Sequence, residues 1–189
     1  MGADVPRVDI LWAQGSHDEV ISGIDLAGWD IVGKGGTTTR RLMGPDGDIM
    51  LDCYIALDVH YAIALAKAVA GLGVLWIEEP VPPDQIESYR KIKDVFPEIL
   101  ITGGEHEFTR YGFRDLFQAR AVAILQPDID RAGDLSELKK IAAMASAHDL
   151  PVIPHGVGAA TYHFVMATHN LPRAEFVDIR PRRQPHPEG

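Results

Sequence analysis

A chain with one cysteine, Cys53, cannot build an intrachain disulfide framework, and a lone thiol fits a reducing compartment. Positive charge is also scarce: 18 Lys and Arg stand against 27 Asp and Glu, for a net charge of −9. That balance argues against a general partner in nucleic acid or an anionic membrane surface. Long apolar runs are missing as well. None of the 189 residues' hydrophobic stretches approaches the ~18–20 residues of a membrane span, and MGADVPRVDI at the start lacks the apolar core of a signal peptide. Aromatic residues make up only 7%. What remains is 46% hydrophobic content, enough to bury a sizeable core as one domain or one domain plus a fragment. The expectation is a soluble, cytoplasmic protein.

The hydrophobic pattern alternates between two periods. Residues 16–33 read as a helix, with Ser16 and Glu19 at capping-box spacing and Val20, Ile24, Ala27 and Ile31 on one face. GKGGTTT then reads as a break. From residue 49 short Val/Ile/Leu runs predict strands near 49–52, 74–78, 99–102, 122–126, 151–153 and 175–179. Helices are predicted between them near 58–70, 85–95, 110–119, 135–147 and 159–168, with Asp58, Asp84 (paired with Glu87) and Thr109 as candidate caps. The tail RPRRQPHPEG carries no core-forming pattern. Alternating strands and helices predict an α/β fold with a parallel sheet. A closed eightfold barrel normally takes about 250 residues, so about six βα units imply an incomplete one.

Acidic residues close three of these strands at nearly even intervals. Asp52, Glu78 and Glu105 lie 26 and 27 residues apart, about one strand-plus-helix unit. The rhythm continues with Asp128, His155 and Glu175. Groups at the carboxyl ends of successive parallel strands converge on one site. Three carboxylates suit Mg²⁺, which prefers oxygen ligands and keeps an open side for water or substrate. His155 titrates near neutrality and is the natural base, Asp128 could fix its tautomer, and Glu175 could hydrogen-bond a developing oxyanion. Each has a plainer reading: Asp128 as a helix cap, Glu79 as a structural carboxylate or one supporting the ligands, His106 as a surface residue or one supporting the site, Cys53 as packing. GWDIVGKG at 28–35 is close to a phosphate-binding loop. Gly35 stands where the hydroxyl should be, and no clear helix is expected after it.

The strings DIMLDCYIALDVHYAIALA, LWIEEP, ITGGEH, LQPDIDRAGDL, VIPHG and AEF, in this order, resemble the enolase superfamily. Within it they are similar to the mandelate-racemase-like acid-sugar dehydratases, and there to the L-rhamnonate dehydratase family. The resemblance implies an enolase-type (β/α) barrel over residues 43–180. Residues 1–42 would then be a remnant of a capping domain with its linker, and 181–189 a flexible tail. It implies Mg²⁺ on Asp52, Glu78 and Glu105, His155 as base with Asp128 as partner, and Glu175 beside the enolate oxygen. The implied reaction is Mg²⁺-dependent loss of water from a small sugar acid (an aldonate) to a 2-keto-3-deoxy acid. Little of the family's capping domain and early barrel is recognisable here, so two other readings stand: a non-catalytic remnant of the fold, and a racemase or epimerase. Strand edges left open by an unclosed barrel predict a homo-oligomer.

Overall fold

The computed structural model describes residues 36–176. The expected helix over 16–33, the 28–35 loop, most of the expected last strand and the tail lie outside these residues. Elements run in the order α1 (Gly36–Met43), β1 (Ile49–Asp52), α2 (Val59–Val69), β2 (Val74–Glu78), α3 (Ile86–Val95) and β3 (Leu100–Gly103). They continue with α4 (Thr109–Ala119), β4 (Ile124–Leu125), α5 (Ile129–Ala132), α6 (Asp134–Ser146) and α7 (Ala159–Met166). The chain is α/β with parallel strands, as expected. By contact density it divides into two units, residues up to 102 with 118–123, and 103–117 with 124 onward.

In the first unit β2 pairs in parallel with β1 and with β3. Buried Ile77 and Ile101 sit side by side on one face of this sheet, and alternation puts Trp76 and Glu78 on the other. Asp58 caps α2 as expected, accepting from the His60 and Tyr61 amides. Buried Ala62, Ala66 and Val69 on α2 and Tyr89 and Ile92 on α3 supply the apolar faces of the two helices. Lys93 on α3 donates to the Arg120 and Val122 carbonyls.

Two expectations in this unit are corrected. Asp84 does not cap α3. The Gln85 amide donates to the Pro82 carbonyl in a turn, and the helix starts one residue later with Gln85 as its uncapped N-cap. The Gly- and Thr-rich segment expected to be a break instead forms α1. Its propensity is poor, but Arg40 donates to the carbonyls of Leu72 (2.7 Å), Gly73 (2.7 Å), Gly44 (2.9 Å) and Gly47 (2.7 Å). Tertiary hydrogen bonding overrides local preference.

In the second unit the apolar stripe predicted for α6 is buried at Leu138, Ile141, Ala142 and Ala145, while Leu135 stays exposed. The strands expected at 122–126 and 151–153 shrink to β4 and two isolated parallel bridges, Leu125 to Val152 and Asp128 to His155. Pro127, Pro151 and Pro154 explain this, since each removes a backbone donor from the ladder. Residues 175 and 176 are not strand. Four strands therefore stand among the described residues where the sequence suggested six. Glu137 ties α6 to α4: its carboxylate accepts from the Arg110 amide, the Arg110 guanidinium and Lys140.

Candidate active site

Asp52 and Glu78 end adjacent parallel strands at the same register position, so their side chains leave the sheet on one face. Asp52 Oδ1 accepts from the Tyr54 amide at 2.8 Å, and Glu78 Oε2 accepts from the Trp76 indole at 3.2 Å. The backbone just beyond is strained: Tyr54, Ile55 and Glu79 all have positive φ, at 46°, 55° and 39°. Backbone outliers of this kind gather where a site demands them. Glu79 is fully buried, which fits a structural carboxylate. Cys53 is enclosed beside Asp52 and Glu78. Burial first, then these two carboxylates, push its thiol up to about 12, so it is a neutral packing group.

The second unit brings four of the predicted residues together. Asp128 closes the β4 segment and its two oxygens divide their work. Oδ1 accepts from the Asp130 and Arg131 amides and caps α5, while Oδ2 meets His155 Nδ1 at 2.8 Å. Asp128 thus caps α5 with one oxygen and meets an imidazole nitrogen with the other. His155 Nε2 then faces Glu105 Oε1 at 3.6 Å and Glu175 Oε2 at 3.8 Å. Glu175 Oε2 also accepts from the Gly156 amide at 2.5 Å, and Gly156 takes a φ of 90° that favours glycine. Glu105 is 3% exposed and lies just past Gly104, whose φ is 120° and whose missing Cβ would stand 2.7 Å from Phe113 Cε1. Only glycine fits there, and that turn delivers Glu105 inward.

Charge is balanced locally around these groups. Burial opposes a charged His155 ring, but the Asp128 hydrogen bond and the carboxylates of Glu105 and Glu175 outweigh it and raise its pKa above the ordinary value. Burial likewise favours neutral Asp128, yet the His155 bond and the Arg131 and Asp130 amides hold it below the usual carboxylate range. Arg131, unremarked in the sequence, sits on α5 with Nη1 3.1 Å from Glu105 Oε1, an ion pair without hydrogen-bond alignment. Trp76 was equally unremarked. Trp76 was findable, two residues before Glu78 on one strand face; the place of Arg131 depends on the one-turn helix α5. His106 is 3.9 Å from Glu105 and mostly covered, a place beside the site rather than on the open surface.

Residues 37–188 match the enolase C-terminal domain-like family, most of the chain. The chain belongs to that family. It is 44% identical over 144 residues to an L-rhamnonate dehydratase of Saccharopolyspora erythraea, covering 76% of this chain and 37% of that protein. Rhamnonate dehydratase from Gibberella zeae, solved in complex with Mg, aligns at a TM-score of 0.72 and 39% identity over 85% of this chain and 37% of its own. A racemase from Streptomyces coelicolor with bound magnesium aligns at 0.75 and 26% identity, over 84% and 52%. The chain thus spans little more than a third of the length of the curated relative. No helix among the described residues is long and apolar enough to cross a membrane.

The donor chemistry within each unit suits a hard divalent cation: Asp52 and Glu78 in the first, and Glu105 in the second, carry carboxylate oxygens, the donor type that Mg²⁺ selects. Beside Glu78, at its register partner on β3, the Thr102 hydroxyl is fully buried without a hydrogen-bond partner, an orphan donor at the edge of that carboxylate pair.

Proposed function

We propose that this chain carries the acid–base half of a Mg²⁺-dependent sugar-acid dehydratase, converting an aldonate such as L-rhamnonate to a 2-keto-3-deoxy acid. The observation that carries the reading is the Asp128–His155 pair. With Oδ2 as acceptor at Nδ1, the neutral imidazole would keep its proton on Nδ1 and leave the Nε2 lone pair to act as the base. A base in this state removes the proton from the carbon next to the substrate carboxylate. When bound on Asp52, Glu78 and Glu105, Mg²⁺ would supply a positive charge against that carboxylate and the charge that develops on it.

Glu175, held by the Gly156 amide, flanks the side of Nε2 away from Asp128 and serves the enolate oxygen; it can donate there only when it carries a proton. The neighbouring hydroxyl then leaves as water, taking the proton that His155 Nε2 has collected, and the resulting enol tautomerises to the 2-keto-3-deoxy acid. The rhamnonate dehydratase relatives and the order of the six motifs support this substrate class. Residue assignments, cytoplasmic location, a homo-oligomeric state and the division at residues 42 and 180 belong to the same proposal.

The test is release of a 2-keto acid from a panel of aldonates with Mg²⁺ present. Turnover is expected, and His155→Asn should reduce it to background while leaving the far-ultraviolet circular dichroism unchanged. Exchange of the α-proton with solvent but no water loss would point to a racemase or epimerase. Mg²⁺ binding with neither reaction would point to a non-catalytic remnant.

A further inference from the structure

We propose that the Trp76 indole is a positioning group that fixes the Glu78 carboxylate for a divalent cation. The inference rests on the metal reading above and extends it to a residue that reading does not use. Trp76 precedes Glu78 by two residues on β2, so the pleat sends both side chains to the same face. Trp76 is 6% exposed, and its ring is locked by packing. Its Nε1 donates to Glu78 Oε2 at 3.2 Å.

An indole suits this task for three reasons. It donates and never accepts, so it cannot itself compete for a cation. It carries no charge that would repel one. And it engages one carboxylate oxygen, which favours single-oxygen ligation through Oε1 and removes rotor freedom from a side chain otherwise only half-buried. Groups that hydrogen-bond a metal ligand typically change affinity by about 10–100-fold when lost. The plain alternative is that Glu78 merely satisfies a buried indole N–H. In that case the bond serves packing, and metal affinity is indifferent to it.

The two accounts separate on Trp76→Phe, which keeps the aromatic packing and deletes only the donor. Mg²⁺ titration calorimetry on the chelator-treated chain should show affinity falling by about ten-fold or more, with the metal-free melting temperature unchanged. A folded variant that binds Mg²⁺ as tightly as the parent overturns the proposal. Should the Phe variant fail to fold, a second measurement decides. With Trp12 and Trp29 both changed to Phe, Trp76 is the sole indole, and its emission should shift on adding Mg²⁺. Silent emission at saturating Mg²⁺ overturns the role. Absence of Mg²⁺ binding in the unaltered chain would instead overturn the metal reading, and the inference with it.

Discussion

Asp128 is one carboxylate with two duties, and substitution can separate them. Asn caps a helix about as well as Asp, so Asp128→Asn should leave the α5 start intact while taking the negative charge from His155. Stability should change little and turnover should collapse. Asp128→Ala loses both, and the missing cap alone costs about 1 kcal/mol, or roughly 2–4 °C in melting temperature for a chain of this size. Paired melting curves and activity assays check both variants. If Asn destabilised as much as Ala, the capping role assigned to Oδ1 would be wrong. His155 and Asp128 were visible in the sequence because each closes an apolar run at the βα interval. Arg131 was not, since its role depends on the one-turn helix that Asp128 itself caps.

At the level of elements, α1 shows what periodicity cannot reveal. GTTTRRLM has β-branched residues and glycine that disfavour a helix, and nothing local says that Arg40 will meet four carbonyls. Those acceptors lie in two places, near residue 45 and at residues 72 and 73, more than thirty residues beyond Arg40. Replacing Arg40 with Leu leaves them short of donors, at a cost of about 1–3 kcal/mol for those that are buried. Amide exchange over Gly36–Met43 should accelerate, while exchange in α3 holds. The elements that were legible, such as α2 and α6, have a capping Asp or a buried apolar stripe. The strands that were over-read, at 122–126 and 151–153, are apolar runs bounded by proline. Hydrophobicity marked their burial correctly; the missing donors decided their pairing.

For the whole chain, part of the response to acid follows from Glu137. Hydrogen bonds from Lys140, then from the Arg110 amide and guanidinium, hold its carboxyl at about 2, against an ordinary 4.5. A folded-state pKa below the unfolded one contributes stability that is complete above about pH 4.5 and lost as pH falls through about 2. Glu137→Gln should therefore be less stable than the parent near pH 6, and the gap should close between pH 4.5 and 2. Urea midpoints across that range measure it, and a gap independent of pH would exclude Glu137 as the titrating group. Sequence exposed α6 but not this carboxylate, because its partner Arg110 lies 27 residues earlier on another helix.

The double duty of Asp128 also changes how much each residue can say about whether the chain still works. A lineage released from catalysis would still be under pressure to keep a capping side chain at position 128, so finding Asp there is weak testimony of activity. Among the described residues the imidazole of His155 bonds no backbone group; its partners are side-chain carboxylates. Folding gives little reason to preserve it, and its presence is the more eloquent witness.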